Sequence, residues 1–498
     1  MPYNRRMDAP NIVFIVIDDM GQRDLGCYGS TFYETPNIDR LAREGMLFTD
    51  AYAACPVCSP TRASLLTGRY PATLGITNYI DWAGDTHPSR GKLVDVPYVR
   101  DLPGDVPNLA TELRKWGYAA WHVGKWHLGE EEAWPDRRGF EVNVGGWSVG
   151  LPTSGYFSPY GFPTLEDGPD GEYLTDRLTS EAISLIRNRT PNRPFFLNLW
   201  YYSVHTPIEA KEEKVRKYRE KARLMGLDRV EALVEGPAFP TEHKKGQRIM
   251  RRVVQSHPTY AAMIESLDEN VGRLLDTLEE EGLGRNTMVI FTSDNGGLST
   301  AEGSPTCNYP LSEGKGWMYE GGTREPLLVR WPAQVRPGTT SRAVVTSPDF
   351  MPTLIQACSS SVAHAMRSLG VPDGVEGTSF LPVLRGEADG VDREAIFWHY
   401  PHYGNQGGTP GSSVRSGRYK LIEFFESGRL ELYDLDSDPG ENRDLSAELP
   451  GVRDRLHGLL TSWRERIEAR LPEPNPGYEP WPDRAPESRH LVAGIEFQ

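Results

Sequence analysis

The feature that most limits how this chain can fold is a series of short, continuously apolar segments rich in Val, Ile and Phe. They alternate with segments in which apolar residues recur at helical spacing, most clearly from Tyr260 to Leu278. Strands buried on both faces have this continuous pattern, and their alternation with helices is typical of layered α/β proteins. The strand candidates are Ile12–Ile17, Ala119–Val123, Phe195–Trp200, Met288–Thr292 and Leu327–Trp331. We therefore predict an α/β fold with a large mixed, mostly parallel sheet sandwiched by helices.

The pattern changes near residue 391, which suggests two domains. Residues 1–390 carry the strand–helix alternation, with a polar, Pro-interrupted insertion at 205–258. In residues 391–498, short strand candidates at Tyr419–Phe425 and Leu430–Leu435 predict a smaller domain of antiparallel sheet plus helix. The Pro-rich tail that follows is expected to wrap around the surface.

Composition excludes several classes of protein. The formal net charge of -15 argues against a nucleic-acid surface, and no segment has the apolar length of a membrane span. The apolar run after Arg5 and Arg6 resembles a signal peptide, but it is short and lacks a small-residue cleavage site, so we interpret it as a buried strand. The sequence as it stands predicts a cytoplasmic protein, or a periplasmic or secreted one if a signal has been removed. A homo-oligomer remains open.

Acidic and amide residues follow two of the predicted strands. Asp18 and Asp19 come directly after the first strand, and Asp294 and Asn295 follow Met288–Thr292. The carboxyl ends of strands in α/β sheets are where ligands gather, and clustered carboxylates repel one another unless a cation lies among them. Oxygen ligands select Ca²⁺ or Mg²⁺. The alternative is that both pairs are ordinary turn residues.

One of the five cysteines lies at a predicted helix start. Pro60 suits a first helical turn and Gly68 a helix end, so Cys58 is expected where backbone N–H groups favour negative charge, with Arg62 one turn further on. Such a cysteine is either a nucleophile or a buried structural residue. Cys55 and Cys58 also form a C-x-x-C pair, but the chain has no second cysteine pair for zinc, and a redox pair is the weaker interpretation.

These residues belong to a longer series of motifs that resembles the sulfatase family. Cys58-Ser-Pro-Thr-Arg62 matches its C-x-P-x-R signature, in which a dedicated formylglycine-generating enzyme converts the cysteine to formylglycine. Cys55 does not match, because Val57 stands where the signature needs Pro. The other matching segments, in order, are Asn11–Asp19 (NIVFIVIDD), Gly124–Gly129 (GKWHLG), His205–Pro207 (HTP), Ser293–Gly296 (SDNG), Gly314–Arg324 (GKGWMYEGGTR) and Leu432–Gly440 (LYDLDSDPG).

The resemblance implies a role for each matching residue. The implied Ca²⁺ or Mg²⁺ ligands are Asp18, Asp19, Asp294, Asn295 and the modified Cys58. The implied sulfate-binding and catalytic residues are Lys125, His127, His205 and Lys315, with Arg62 supporting the formylglycine. Lys125 and His127 are two residues apart after a strand, so an extended backbone would point both to one side. A further family serine is left unassigned, with Ser148 as the candidate.

The resemblance thus predicts hydrolysis of sulfate esters, either sulfated carbohydrates or aryl sulfates. The expected partner is a small-molecule or saccharide sulfate ester, with no nucleic acid and no membrane. The nearest alternative is a phosphonate or phosphate ester hydrolase of the same superfamily, which is the alkaline phosphatase superfamily. A non-catalytic anion-binding protein is the alternative from another class. The run Trp398-His399-Tyr400-Pro401-His402 is either a sugar-binding wall or internal packing.

Overall fold

The computed structural model describes residues 9–81, 90–244, 246–359 and 370–480. Its strands up to residue 293 are β1 (Asn11–Ile17), β2 (Met46–Tyr52), β3 (Leu93–Val94), β4 (Ala119–Gly124), β5 (Val142–Val144), β6 (Phe195–Trp200), β7 (Leu233–Ala238), β8 (Arg248–Arg252) and β9 (Thr287–Ser293). The later strands are β10 (Arg324–Arg330), β11 (Thr339–Ser341), β12 (Val345–Thr346), β13 (Ile396–Tyr400), β14 (Gly411–Ser416), β15 (Tyr419–Phe424), β16 (Arg429–Asp434) and β17 (Glu473–Pro474).

The α-helices alternate with these strands through most of the chain. They are α1 (Pro36–Glu44), α2 (Cys58–Thr67), α3 (Pro71–Leu74), α4 (Leu109–Lys115), α5 (Leu174–Arg187), α6 (Glu212–Leu224), α7 (Pro258–Glu280), α8 (Glu320–Thr323), α9 (Phe350–Ser359), α10 (Leu381–Leu384) and α11 (Pro450–Arg466). Among the described residues, none of the helices combines the length and the apolar character needed to cross a bilayer.

A large mixed sheet forms the centre of the molecule. Its strand order is β11-β2-β10-β9-β1-β6-β4-β5, and β12 pairs with β2 off this path. The strands β9, β1, β6, β4 and β5 run parallel, as predicted. The candidate Leu327–Trp331 is observed as β10, which is antiparallel to both β9 and β2. The mixed, mostly parallel sheet is therefore confirmed.

Both faces of this sheet are buried, which explains the continuously apolar strands. On one face, Val13, Ile15 and Ile17 pack with apolar residues of α1, α5, α6 and α7. On the other, Ile12, Phe14 and Val16 pack with residues of α2, α4, α9 and α10. The run that resembled a signal peptide is thus the central strand β1. Residues 1–8, which precede it, lie outside the described part of the chain.

A second, antiparallel sheet of order β13-β14-β15-β16 forms towards the C-terminus, as predicted. Helix α11 covers it through Leu456, Leu460 and Trp463, which pack on Val414 and Leu421. The tail follows the surface at least as far as β17, which pairs with β3. The change from one sheet to the other falls between α10 and β13, and a domain boundary at residue 390 stays a prediction.

The segment 205–258 contains helix α6 and the β7–β8 hairpin. The aromatic run at 398–402 is internal packing. Trp398 and Tyr400 are each only 1% exposed, and their polar atoms bond to Ala53 O and Asn78 Oδ1. Burial of these rings between the small sheet and the rest of the protein leaves no open face for stacking on a sugar.

Candidate active site

The predicted acidic residues meet at one edge of the large sheet. Strands β1 and β9 are parallel neighbours with Ile17 opposite Ser293, so the residues that follow them lie side by side. Asp19 N donates to Asp294 Oδ1 at 3.2 Å, and Asn295 Nδ2 donates to Asp19 Oδ1 at 2.9 Å. Asp19 takes up a left-handed backbone conformation with φ 62°. This conformation is uncommon for a residue other than glycine and occurs mostly at functional sites.

These side chains fit a divalent cation. Asp18, Asp294 and Cys58 each offer a ligand atom, and the three atoms lie within 4.8 Å of one another. Within the described part of the chain, the buried atoms Asp18 Oδ1 and Asn295 Oδ1 have no hydrogen-bond partner. Burial raises the pKa of Asp18 well above its ordinary value, even though Lys125 opposes the shift. Unpartnered buried oxygen acceptors are costly, and a hard cation would satisfy both.

Cys58 opens helix α2, as predicted. The helix begins at Cys58 with Val57 as an extended N-cap, and it ends at Gly68 in a left-handed conformation. Cys58 is 3% exposed, and burial raises the pKa of its thiol. The neighbouring Cys55 is equally buried, but it lies in a separate apolar cluster formed with the small sheet.

Arg62 lies one turn along α2 and is fully buried. Its Nε donates to Asp294 Oδ2 at 2.8 Å, and its NH2 group lies 3.7 Å from Asp18 Oδ1. It therefore fixes the two carboxylates beside Cys58 and balances their charge.

Lys125 and His127 follow strand β4 and face the same centre. Lys125 Nζ donates to Asp18 Oδ2 at 2.7 Å. His127 Nδ1 lies 3.5 Å from Cys58 Sγ, and its Nε2 lies 2.7 Å from the Ile80 carbonyl. A carbonyl only accepts, so Nε2 carries the proton and the Nδ1 lone pair faces residue 58. Burial lowers the pKa of His127 well below its ordinary value, which favours this neutral form.

The extended backbone predicted between Lys125 and His127 is not observed. His127 is not extended but left-handed, with φ 58°. Its ring is held by the Ile80 carbonyl and by Gly150, where an added Cβ would come within 2.4 Å of the ring. The local turn, rather than strand alternation, brings the imidazole to Cys58.

His205 and Lys315 come from two loops and form a second pair. His205 Nδ1 lies 2.8 Å from the Thr206 carbonyl, so Nδ1 carries the proton, and Nε2 accepts from Lys315 Nζ at 3.1 Å. Lys315 Nζ also donates to Asp19 at 2.8 Å. Burial and the Lys315 charge lower the pKa of His205 to about 4. In this pair Lys315 holds the proton and His205 accepts.

A cavity of about 250 Å³ opens over these groups. From the predicted set, Cys58, His127, His205 and Lys315 line it. Apart from Thr206, which belongs to the HTP motif, the other lining residues were not predicted, because loops far apart in the chain supply them. These are Tyr79, Ile80, Asp81, Gly150, Leu151, Thr206, Glu302, Asn405 and Gln406.

Ser148 does not line this cavity. Its hydroxyl donates to Glu130 Oε2 at 3.0 Å and accepts from Trp134 Nε1 at 3.1 Å. It therefore ties two neighbouring loop segments together.

Comparison with known proteins identifies the family. Residues 10–360 match the Sulfatase family model, and residues 313–465 match the model described as N-sulphoglucosamine sulphohydrolase, C-terminal. The chain is 30% identical to a sulfatase of Formosa agariphila (strain DSM 15362 and its equivalents), over 91% of this chain and 88% of that protein. It is also 30% identical to human N-acetylgalactosamine-6-sulfatase, over 93% of this chain and 86% of the relative.

Among solved structures, Ps i-CgsB in complex with k-i-k-neocarrahexaose superposes with a TM-score of 0.68 at 27% identity. The match covers 92% of this chain and 93% of that one. The family match spans more than half of the chain and includes most of the residues that meet at the site. The chain therefore belongs to the sulfatase family and is a sulfuric ester hydrolase.

Proposed function

We propose that this protein hydrolyses saccharide sulfate esters, with residue 58 as formylglycine and one Ca²⁺ or Mg²⁺ beside it. The observation that carries the proposal is the position of Cys58. It lies at the start of a buried helix, 3.5 Å from a histidine lone pair, with its Sγ among carboxylate oxygens. Burial disfavours the thiolate that an unmodified cysteine would need as a nucleophile.

The cation would be held by Asp18, Asp19, Asp294, Asn295 and residue 58. Of these, Asp18, Asp294 and Cys58 offer ligand atoms within 4.8 Å of one another. When bound, the cation supplies Lewis-acid polarisation of the nucleophile and of a sulfate oxygen. Lys125 and Lys315 each donate to one of these carboxylates. Each ammonium group has three donors, so both keep capacity to bind sulfate oxygens.

In the proposed mechanism, residue 58 supplies a hydrated aldehyde, one hydroxyl of which attacks sulfur while the other later expels sulfate. Asp294, fixed by Arg62, accepts the proton of the attacking hydroxyl. As the bond from sulfur to the leaving oxygen breaks, that oxygen needs a proton. Lys315 holds one, with His205 beside it to orient the ammonium group and share its charge.

His127 acts in the second half of the reaction. Its Nδ1 lone pair points at residue 58 because Nε2 is committed to Ile80 O. Nδ1 takes the proton of the second hydroxyl, the carbon–oxygen double bond re-forms, and sulfate leaves. An unmodified Cys or Ser has no second hydroxyl, so this release step explains the need for a formylglycine-generating enzyme as a partner.

A saccharide substrate is supported by the relatives and by the cavity. One relative is an N-acetylgalactosamine-6-sulfatase, and one matching structure is a complex with k-i-k-neocarrahexaose. The wall of the cavity offers hydrogen-bonding groups such as Glu302, Asn405 and Gln406, which suit a hydroxylated leaving group.

A panel of sulfated sugars and 4-nitrophenyl sulfate, each paired with the matching phosphate ester, tests this function. We expect sulfate release with a kcat/KM well above that of the matched phosphate ester. A preference for the phosphate or phosphonate partner would instead favour the alternative within the same superfamily. Cys58→Ala is the control for background hydrolysis.

A further inference from the structure

The cavity over Cys58 has two parts of opposite character. The floor carries the groups assigned to sulfate, among them Lys315 and His205. One side wall carries a carboxylate, Glu302, with two amide side chains, Asn405 and Gln406. The proposed reaction does not use this wall.

Three side chains from two separate segments converge on the Glu302 carboxylate. Asn405 Nδ2 and Gln406 Nε2 donate to Oε1 at 3.2 Å and 3.3 Å, and Thr206 Oγ1 lies 3.5 Å from Oε2. Glu302 has a left-handed backbone with φ 52°. This conformation is unfavourable for glutamate, so the surrounding structure must hold the backbone in place, while the two amide hydrogen bonds orient the carboxylate. Glu302 is an exposed residue that lines the cavity, and these contacts give its carboxylate a defined orientation there.

Gln406 adds a buried acceptor to the same wall. It is 4% exposed, and within the described part of the chain its Oε1 has no hydrogen-bond partner. Lys244 donates to the Asn405 backbone carbonyl at 2.7 Å and does not line the cavity. The Glu302 carboxylate thus presents the accepting atoms and the negative charge of this wall to whatever occupies the space above the sulfate site.

We propose that Glu302, with Asn405 and Gln406, forms a leaving-group subsite that selects a neutral saccharide carrying free hydroxyl groups. We call these three residues the Glu302 wall. The assignment deepens the proposed function and rests on it. Hydroxyl groups donate to the Glu302 carboxylate, which Asn405 and Gln406 hold in place, and this fixes the sugar ring above the sulfate site. A second sulfate or a carboxylate on that ring would face Glu302 without a partner and is disfavoured.

The rival explanation is that Glu302 acts only through the sulfate site. The Glu302 charge partly opposes the lowering of the His205 pKa and adds to the raising of the Lys315 pKa. If that were its whole role, its removal would affect every substrate by a similar factor. A specificity role affects sugar sulfates and spares a substrate whose leaving group has no hydroxyls.

The test compares wild type, Glu302→Gln and Glu387→Gln, all carrying formylglycine. Glu387 is an exposed carboxylate that does not line the cavity, so its variant is the matched loss of one charge. The substrates are neutral hexose and N-acetylhexosamine monosulfates, the same sugars with a second sulfate, and 4-nitrophenyl sulfate. We expect wild type to prefer a monosulfate over its disulfated form by at least about tenfold.

Glu302→Gln should raise KM for the preferred monosulfate by about ten- to hundredfold, the effect of losing hydrogen bonds to a charged group. The variant should also show a smaller preference for the monosulfated sugar over its disulfated form. Its kcat/KM for 4-nitrophenyl sulfate should change less than about threefold. Glu387→Gln should match wild type.

Two results would overturn the assignment while leaving the proposed function standing. They are a wild-type preference for disulfated sugars, or an equal loss of activity on all substrates in Glu302→Gln. Hydrolysis of 4-nitrophenyl sulfate with no activity on any sugar would refute the saccharide substrate and the subsite together. Hydrolysis of no sulfate ester at all would refute the proposed function and the subsite together.

Discussion

Each charged side chain around Cys58 is buried beside an opposite charge. Lys125 pairs with Asp18, Lys315 with Asp19 and Arg62 with Asp294, all within 2.8 Å. Removing one member of such a pair leaves an unpaired buried charge, which typically costs about 3–5 kcal/mol of stability. Functional tests at the residue scale are therefore cleaner at the uncharged cysteine and histidines than at these ion pairs.

The two neighbouring cysteines should behave differently when replaced. Cys58→Ala should abolish turnover with little loss of stability, because it removes the site of formylglycine. Cys55→Ala should retain activity and lose about 1–2 kcal/mol of stability, because Cys55 packs in the apolar cluster shared with the small sheet. Sulfate release and thermal unfolding of both variants measure this. If Cys55→Ala abolished turnover and Cys58→Ala did not, the modified residue would be Cys55 and the assignment to Cys58 would be wrong.

The two histidines should act at different stages. His127→Ala should slow all substrates and accumulate enzyme with sulfate bound to residue 58, which intact-mass measurement after brief exposure to substrate detects. His205→Ala should slow sugar sulfates more than 4-nitrophenyl sulfate, because nitrophenolate leaves with little need of a proton. The division of roles fails if His127→Ala shows no adduct and His205→Ala is equally slow on both substrates.

At the scale of elements, the site depends on where strands end. Gly124 closes β4 directly before Lys125, with φ 105°, and a Cβ there would lie 1.9 Å from the Trp200 carbonyl of β6. A side chain at this position would push the two strands apart just where the lysine and histidine leave the sheet.

Gly124→Ala is therefore expected to lose both stability and activity. Gly117→Ala is the matched control, since Gly117 also has a positive φ, 88°, but a Cβ there would meet nothing within 4 Å. We expect about 1–2 kcal/mol of destabilisation for Gly117→Ala, from backbone strain alone. Gly124→Ala should lose at least about twice as much, because steric overlap is added. Equal losses in denaturant unfolding would contradict this account of the strand end.

The sequence predicted the elements that hold the metal and sulfate groups better than those that shape the cavity. Continuous apolar runs located β1, β4, β6 and β9, and Pro60 with Gly68 located α2. Strand β2 was missed, because Thr49 and Asp50 interrupt the apolar pattern of Met46–Tyr52. The antiparallel direction of β10 depends on chain reversal through a long loop, which strand composition does not encode.

The cavity wall was not predictable for a related reason. Glu302 lies 96 residues after Thr206 and 103 residues before Asn405. All three residues are in loops without any periodic pattern. Only the folded loops bring them together. The left-handed backbone of His127 was likewise hidden, because nothing in Lys125-Trp126-His127 indicates a departure from extended geometry.

At the scale of the whole molecule, a bound cation should couple activity to stability. We expect one Ca²⁺ or Mg²⁺ per chain, held by the carboxylates after β1 and β9. Chelation should abolish turnover and lower Tm, and metal at one hundred times its Kd should restore about 2.7 kcal/mol of stability. Elemental analysis measures the bound metal, sulfate release measures turnover, and thermal unfolding measures Tm in the same preparations.

A matched pair of variants locates the ion. Asp18→Asn should lose the metal, whereas Asp268→Asn should keep it, because Asp268 is a buried carboxylate committed to Asn37 and Ile38 at the start of α1. Stoichiometric zinc at this site, or full activity in metal-free enzyme, would refute the assignment.

The most direct test of the central claim is sulfate release measured against the fraction of residue 58 converted to formylglycine. Preparations made with increasing amounts of the formylglycine-generating enzyme give the range, and peptide mass spectrometry gives the converted fraction in each. The account predicts that turnover of a sulfate ester rises in proportion to the fraction of residue 58 converted to formylglycine. Turnover should be zero when all of Cys58 is unmodified. Full turnover in a preparation whose Cys58 is unmodified would contradict it.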